Sequence, residues 1–413
     1  MRGRRDSAIV RGMAIHDDIV IRSARPDDGD AILLLLETCF ATRTSAVENE
    51  QIPRIFPPEQ ALVAEAGGRV VGHTQSTTMT LTVPGGREVD VTGIAGVAVA
   101  PTHRRRGILR AMYTEQHRRT EAAGLPLTIF TASEGSIYGR FGYGPTVVEK
   151  GIRVDRRRAA FLPMVPDPGG VELIPLRAAQ ERIRDVYDRW RRLVPGAQVR
   201  PDGAWAIRFA DPERFRGGGT DLFSLVHPDG YALYRYRHGA DGSVVEVSEL
   251  RAITTDAHAA LWRVLLGLDL IDRIETVVTD DDPLPYLLTD PRQVRTTGRF
   301  DGLWLRLMDI PAALTARAYA ADLDVVLAVH DPFREAGGTF ALRVRDGVAE
   351  CAPTDRDADL ELGIDVLGSI YLGAHPARAF AAANRLRAKD SGLVRAVEQA
   401  FSADRDAEVG WFF

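Results

Sequence analysis

The spacing of apolar and polar residues predicts three successive units that mix helices and strands. In residues 19–155, a short strand and a helix precede an antiparallel meander, whose last strand runs from Val89 to Ala100. Helical spacing resumes from Gly107 to Ala123, and a short strand of the buried type follows from Leu127 to Thr131. This order predicts one α/β domain.

Two further units follow the first. Residues 156–302 contain a hairpin with the turn His227-Pro228-Asp229-Gly230, then another strand and a helix that starts at Thr254-Thr255-Asp256. Residues 303–413 contain further strands and helices and end in an aromatic segment. Residues 1–18 carry no such pattern, and we expect them to form a disordered arm.

The composition is that of a globular protein, with 413 residues of which 45% are hydrophobic and 26% are charged. The net charge of −5 at pH 7 argues against a protein that binds nucleic acid or other polyanions. The densest apolar run, Ala31 to Leu36, is far shorter than the ~20 residues that span a bilayer. We therefore expect no membrane span.

Cysteine and histidine are too sparse for a disulfide framework or a metal site. Only Cys39 and Cys351 occur, which excludes a multi-cysteine zinc site. His227, His258 and His375 are not spaced as metal ligands, so we assign no metal. The low cysteine count fits a reducing cytoplasm, and secretion without a signal peptide stays open.

A basic loop between a strand and a helix is the most informative chemical feature. Arg104, Arg105 and Arg106 follow the strand that ends at Pro101, and Gly107 stands where the next helix starts. Amides at a helix N-terminus bind phosphate without special side chains, and glycine lets the backbone approach a ligand. The sequence therefore predicts a site for an anionic cofactor, although a merely solvated arginine run would look the same.

Several segments carry a resemblance to known acetyltransferases. The run from Arg104 to Leu109 resembles the acetyl-coenzyme A (acetyl-CoA) signature of the Gcn5-related N-acetyltransferase (GNAT) superfamily, Arg/Gln-x-x-Gly-x-Gly/Ala, with Leu109 in place of a small residue. Together with that loop, Ala132 to Pro145, the hairpin turn at 227–231, Tyr371 to His375 and the aromatic end make nearly the whole chain after residue 18 similar to the Eis (enhanced intracellular survival) family.

This resemblance implies a fold and a set of cofactor contacts. The fold is α/β (α+β), with a catalytic GNAT-like domain at 19–155, a second at 156–302 and a sterol-carrier-protein-like domain at 303–413. The second domain should not bind the cofactor, since Asp256 would place a carboxylate where a phosphate should sit. The implied acetyl-CoA contacts are Val97, Ala98, Val99, Arg105, Arg106, Gly107, Ile108, Leu109, Arg110, Ser133 and Glu134.

The same resemblance implies two catalytic groups. Tyr138 would donate a proton to the departing thiolate, and the main-chain carboxylate of Phe413 would accept the proton of the amine. Each residue also has a plainer interpretation, because Tyr138 could simply pack in a glycine-rich turn and a chain end is usually frayed. The aromatic run from Trp411 to Phe413 favours a docked end instead.

We therefore expect an N-acetyltransferase that uses acetyl-CoA and acts on primary amines of polycationic acceptors such as aminoglycosides, at one position or several. A cationic amine substrate is compatible with the net charge of −5. The resemblance also implies a homo-hexamer of paired trimers. One alternative is a protein or peptide lysine N-acetyltransferase, and another, of a different class, is a non-catalytic lipid- or ligand-binding scaffold.

Overall fold

The computed structural model describes residues 13–16, 18–239 and 242–413. Most of the predicted arm, residues 1–18, lies outside the described residues. Within them, the strands form one thirteen-stranded sheet and one five-stranded sheet, and helices pack against both. No helix in this part of the chain has the length and apolar character needed to cross a bilayer.

The helices and strands fall into three units along the chain, and β1 lies within residues 1–18, which we expected to form a disordered arm. The first unit contains β1 (Met13–His16), β2 (Ile19–Ser23), α1 (Gly29–Phe40), α2 (Ala46–Ile55), β3 (Leu62–Ala66), β4 (Arg69–Val83), β5 (Arg87–Val99), α3 (Ile108–Ala122), β6 (Leu127–Phe130) and β7 (Gly144–Asp155). The second contains β8 (Glu172–Ile174), α4 (Leu176–Arg191), α5 (Asp202–Ala210), β9 (Phe223–His227), β10 (Gly230–Gly239), β11 (Gly242–Ala252), α6 (Thr255–Gly267), β12 (Arg273–Val278), α7 (Leu284–Leu287) and β13 (Val294–Leu307).

The third unit contains α8 (Ile310–Ala316), β14 (Leu323–His330), β15 (Gly338–Arg345), β16 (Val348–Pro353), β17 (Leu360–Gly363), α9 (Ile364–Ile370), α10 (Ala377–Ala382), β18 (Leu386–Ala388) and α11 (Ser391–Phe401). The predicted hairpin is confirmed, because β9 and β10 pair from Phe223 with Tyr234 to His227 with Gly230. The predicted helix start is also confirmed, with Thr254 as the residue that caps α6.

The first two units share a single sheet, in the order β1-β2-β3-β4-β5-β6-β13-β7-β12-β11-β10-β9-β8. β13 lies between β6 and β7 and is antiparallel to both. This strand runs through residue 303, the position at which we expected the third unit to begin. The last strand of the second unit therefore completes the sheet of the first, a pairing across more than a hundred residues that local periodicity does not reveal.

The third unit is held against the first by a shared hydrophobic core. Its helix α9 packs on β7 and β13. One core cluster includes Leu81 and Val147 from the first unit, Leu305 from β13, and Leu327 and Phe401 from the third. This packing leaves the carboxyl end of the chain beside the first unit, where the candidate site lies.

Candidate active site

The candidate site begins where β5 and β6 separate. These two strands are parallel and pair at Thr92 with Thr128 and at Gly93 with Ile129. The register between β4 and β5 shifts after Ala95, which leaves a β-bulge at residues 96–97. Beyond it, β5 continues to Val99, and within the described residues this end of β5 does not pair with β6. The predicted contacts Val97, Ala98 and Val99 therefore lie along one wall of an open cleft, where an extended molecule could add as a strand would.

A buried histidine, which the sequence analysis missed, supports the bulge. His73 on β4 is only 1% exposed, and its Nδ1 donates to the carbonyl oxygen of Gly96 at 2.7 Å. Burial lowers the pKa of His73 to about 4, against the opposing effect of that hydrogen bond. His73 is therefore neutral near pH 7. Nothing in the local sequence distinguishes it from an exposed histidine on a strand.

The basic loop forms the floor of the cleft at the N-terminus of α3. Gly107 caps this helix with a φ of 77°, and Arg105 has a φ of 63°, so the backbone passes twice through the left-handed region. No side chain caps α3, which leaves its first amides available to a ligand. Alternating conformations of this kind form anion-binding concavities. The loop therefore suits a pyrophosphate group.

The residues of this loop differ in what they can offer a ligand. Arg105 and Arg110 are exposed, whereas Arg106 pairs with Asp18 at 3.0 Å. Arg106 precedes α3, so it does not share a helix face with Arg110. Ile108 is 1% exposed and belongs to the core, so only its backbone can face the cleft. The remaining contact predicted on α3, Leu109, is half-buried.

Tyr138 lies in a cluster of aromatic side chains beside the cleft. Its ring centroid is 4.3 Å from that of Phe130, 6.1 Å from that of Tyr113 and 6.2 Å from that of Trp304. Burial raises the pKa of the Tyr138 hydroxyl above its usual value, and the charge of Glu134 adds to the effect. The hydroxyl therefore keeps its proton at neutral pH. The predicted cofactor contacts Ser133 and Glu134 are exposed on the loop between β6 and Tyr138.

The carboxyl end of the chain is docked in the same region. Thr131, at the end of β6, donates from Oγ1 to the main-chain oxygen of Phe413 at 2.6 Å. The Phe413 ring is half-buried, 5.3 Å from the ring of Trp411 and 6.4 Å from that of Phe56. Phe412, by contrast, is 77% exposed. Docking therefore depends on the side chains of Trp411 and Phe413, and on hydrogen bonds between the backbone of this segment and the second unit.

The second unit supplies residues to this docking that the sequence analysis missed. Gln198 accepts at Oε1 from the amides of Gly410 and Trp411, at 3.1 and 3.3 Å. Trp411 also donates from Nε1 to the carbonyl of Val199 at 3.1 Å. A Cβ atom on Gly410 would lie 2.4 Å from the hydroxyl of Tyr187, so this position requires glycine. Residues 405–413 are called the terminal segment below.

No metal centre is apparent in the part of the chain that the structure describes, since no three His, Cys, Asp or Glu side chains are grouped to hold an ion. The prediction that the protein uses no metal stays a prediction.

Comparisons with known proteins agree with this architecture. Residues 20–146 and residues 196–307 each match the acetyltransferase (GNAT) domain family, and residues 310–407 match the sterol carrier protein domain family. The chain is 45% identical over 406 residues to N-acetyltransferase Eis of Mycobacterium tuberculosis, which covers 96% of this chain and 100% of the relative. The chain belongs to the Eis family of N-acetyltransferases.

Two further relatives support this assignment. An uncharacterized N-acetyltransferase of Streptomyces coelicolor is 36% identical over 351 residues, covering 81% of this chain and 84% of its own. The crystal structure of Eis1 from Mycobacterium abscessus is 31% identical and superposes with a TM-score of 0.85, covering 96% of this chain and 100% of its own. The prediction of tandem GNAT domains and a sterol-carrier-like domain is confirmed.

Membership in the Eis family also decides between the predicted function classes. The protein is an acetyl-CoA-dependent N-acetyltransferase, and the alternative of a non-catalytic scaffold is wrong. The uncapped start of α3 and the open end of β5 fit the pyrophosphate and the extended arm of acetyl-CoA. Which side chains touch acetyl-CoA, and which move protons, stay predictions.

Proposed function

We propose that this enzyme acetylates primary amines of polycationic acceptors such as aminoglycosides, with Tyr138 as proton donor and the Phe413 carboxylate as proton acceptor. Acetyl-CoA supplies the acetyl group as an activated thioester. The observation that carries the proposal is the hydrogen bond from Thr131 to the main-chain oxygen of Phe413, which brings residues 282 positions apart together beside the aromatic cluster of Tyr138.

The proton donor is chemically suited to this role. A phenol with a pKa near ~10 can protonate a departing thiolate whose conjugate acid has a pKa near ~8.5, provided that water is excluded from both. Tyr138 is 5% exposed, and burial raises the pKa of its hydroxyl further. The raised pKa keeps the donor protonated over the pH range in which an amine can lose its proton.

The proton acceptor needs help from its surroundings. A free α-carboxylate has a pKa of about 3.3 to 3.7 and is a weak base in water. Phe413 is half-buried between the rings of Trp411 and Phe56, and less water around the carboxylate would make it a stronger base than in water. The carboxylate would also attract a cationic amine before any proton moves.

Support for a polycationic acceptor comes from carboxylates within and next to the terminal segment. Burial raises the pKa of Glu149, against the charge of Arg251 and with a further contribution from Asp301. Burial likewise raises the pKa of Glu408 to about 7, again against Arg251. Asp301 is exposed and accepts from Trp304, whose ring is 6.2 Å from that of Tyr138. Burial and the charge of Asp301 disfavour ionised Glu149, so ammonium groups of one acceptor beside these two carboxylates would favour the ionised form and be bound by it.

A panel of acceptors tests the substrate class through release of free thiol from acetyl-CoA. An aminoglycoside with several primary amines should give a kcat/KM at least tenfold above that of a lysine peptide or a small monoamine. Asp301→Asn should reduce that preference while leaving the rate with the monoamine unchanged. A peptide that outperforms every polyamine would favour the lysine N-acetyltransferase instead.

Two variants test the catalytic groups with the acceptor held constant. One extra residue after Phe413 moves the carboxylate, and kcat/KM should fall at least a hundredfold while acetyl-CoA still binds in calorimetry. Tyr138→Phe keeps the ring but removes the proton, and kcat should fall about a hundredfold to ten-thousandfold. Full activity of the extended protein, or an unchanged kcat for Tyr138→Phe at all pH values, would overturn the assignment.

The assembly and the compartment are proposals that rest on the family resemblance and on the two free cysteines. We propose a homo-hexamer of paired trimers in the cytoplasm. Light scattering on the purified protein should give six times the chain mass of 45.3 kDa. A monomer at micromolar concentration would contradict this assembly.

A further inference from the structure

The second unit contains a cleft equivalent to the cofactor cleft of the first. Its strands β11 and β12 are parallel and pair from Val244 with Arg273 to Val247 with Thr276. The register between β10 and β11 shifts at Ser248, as the register of the first unit does at residues 96–97. Beyond this point β11 continues to Ala252 and leads into α6, as β5 leads into α3. The two clefts therefore occupy the same place in their units.

The cleft of the second unit is filled by the terminal segment of the chain. On the β11 side, Arg251 donates to Glu408 Oε2 at 2.7 Å and to the carbonyl of Val409 at 2.8 Å. On the β12 side, the amide of Asp281 donates to Asp406 Oδ2 at 3.0 Å. The segment thus lies between the ends of the two strands, in the position that the open cleft offers to a ligand in the first unit.

Arg200 is buried in the core and binds the terminal segment at the following residue, Gly410. Its side chain is 4% exposed, and it donates to Glu249 Oε1 at 2.9 Å and to the carbonyl of Gly410 at 2.7 Å. The guanidinium group lies 4.3 Å from the ring centroids of Tyr187 and Trp205. A planar guanidinium with several donors can bridge a carboxylate and a carbonyl at once, which a lysine ammonium does poorly.

The carboxylate that holds Arg200 is itself fixed as an anion. Burial alone would raise the pKa of Glu249, but the charges of Arg200, Arg208 and Arg251 outweigh it and hold that pKa at about 2. Tyr231 also donates to this carboxylate. The charge network therefore orders both arginines before the terminal segment arrives, so little side-chain freedom is lost when the segment binds.

We propose that the cleft between β11 and β12 of the second unit is a peptide-binding site for the terminal segment, and that Arg200 and Arg251 position the Phe413 carboxylate for proton transfer. This inference rests on the proposed function, because it assigns these arginines an effect on the rate through Phe413. It gives the second unit a role in the reaction without any contact with acetyl-CoA. The arginines are positioning residues, since they bind the backbone carbonyls three and four residues before Phe413.

Arg200→Gln tests the proposal, with Arg235→Gln as the matched control. Arg235 is also buried in the second unit and pairs with a buried carboxylate, Asp211, at 2.8 Å, but it does not contact the terminal segment. Arg200→Gln should lower kcat at least tenfold with KM for acetyl-CoA unchanged, whereas Arg235→Gln should change only the melting temperature. Arg200→Lys should recover part of kcat, because it keeps the charge beside Glu249.

A second measurement reports docking without any chemistry. Carboxypeptidase should release Phe413 from Arg200→Gln at least tenfold faster than from the native protein or from Arg235→Gln, as followed by mass spectrometry of the intact chain. If Arg200→Gln does not fold, Gly410→Ala moves the segment from the other side, since its new Cβ atom would lie 2.4 Å from the Tyr187 hydroxyl and 2.8 Å from the amide nitrogen of Gln198.

The outcomes separate this inference from the proposed function. Equal carboxypeptidase rates for Arg200→Gln, Gly410→Ala and the native protein would overturn the peptide-binding site. Faster release of Phe413 with an unchanged kcat would retain the site but overturn the positioning role. If the extended protein keeps full activity, the catalytic role of Phe413 fails, and the release rate still decides whether the second unit binds the segment.

Discussion

The two GNAT units differ at the start of the helix that follows the cleft strand, which is α3 in the first unit and α6 in the second. In the first, α3 starts at Gly107 without a side-chain cap, beside exposed arginines. In the second, the side chain of Thr254 accepts from the amide of Ala257 at 3.2 Å, and Asp256 lies in the first turn of α6. An uncapped helix start can bind an external anion, whereas a capped start has already used that capacity.

The clefts next to these helix starts also differ, because one is open and the other is occupied. The cleft between β5 and β6 is open to a ligand, and the cleft between β11 and β12 contains the terminal segment. Two units with the same fold therefore present different clefts, one open to a ligand and one occupied by a part of the chain itself. A fold does not determine what its cleft binds; the residues at the helix start and along the strand ends do.

Charge reversal at the phosphate loop should have the largest effect on this comparison. The double variant Arg104→Glu, Arg105→Glu places two carboxylates at the start of α3, and Kd for acetyl-CoA in calorimetry should rise at least a hundredfold, or about 3 kcal/mol. In the second unit, Thr254→Ala should leave that Kd unchanged and cost about 1 kcal/mol of unfolding free energy. Equal effects of the two changes on Kd would mean that the two helix starts do not differ as described.

Acid should weaken the bulge of the first cleft through His73 and leave the corresponding bulge of the second unit unaffected. The pKa of His73 falls from about 6.5 in the unfolded chain to about 4 in the folded protein, so the unfolded chain binds the extra proton between these pH values. The contribution of His73 to the free energy of unfolding is therefore lost as the pH falls through this window, by about 2 kcal/mol between pH 7 and pH 5. The bulge of the second unit is bonded by the hydroxyl of Ser248, which does not titrate there.

Denaturant unfolding of His73→Asn measures this contribution. The variant should lose that part of the pH dependence, because asparagine carries no titrating group. His330→Asn is the control, since His330 is exposed and its replacement should leave the slope as in the native protein. The same pH dependence in His73→Asn as in the native protein would contradict the assignment to His73.

Much of the fold could be read from local patterns. The strand and helix periods, the turn at His227–Gly230 and the helix start at Thr254 each depend on residues within a few positions of one another. The basic loop of the site could also be predicted, because residues 104–107 combine positive charge and a glycine between a strand and a helix. Local patterns did not reveal the buried residues that support the site, such as His73 and Arg200, because residue type alone does not show whether a side chain is buried.

The sequence by itself determined that there are three α/β units. It also determined that the first unit has an anion-binding loop between a strand and a helix, and that the second unit lacks such a loop. Only the tertiary structure decided that β13 completes the sheet of the first unit, and that the terminal segment crosses the second unit to reach Thr131. The physical reason is the range of the interactions. Periodicity and helix capping act over a few residues, whereas strand pairing and the docking of Phe413 depend on burial and hydrogen bonds between residues hundreds of positions apart.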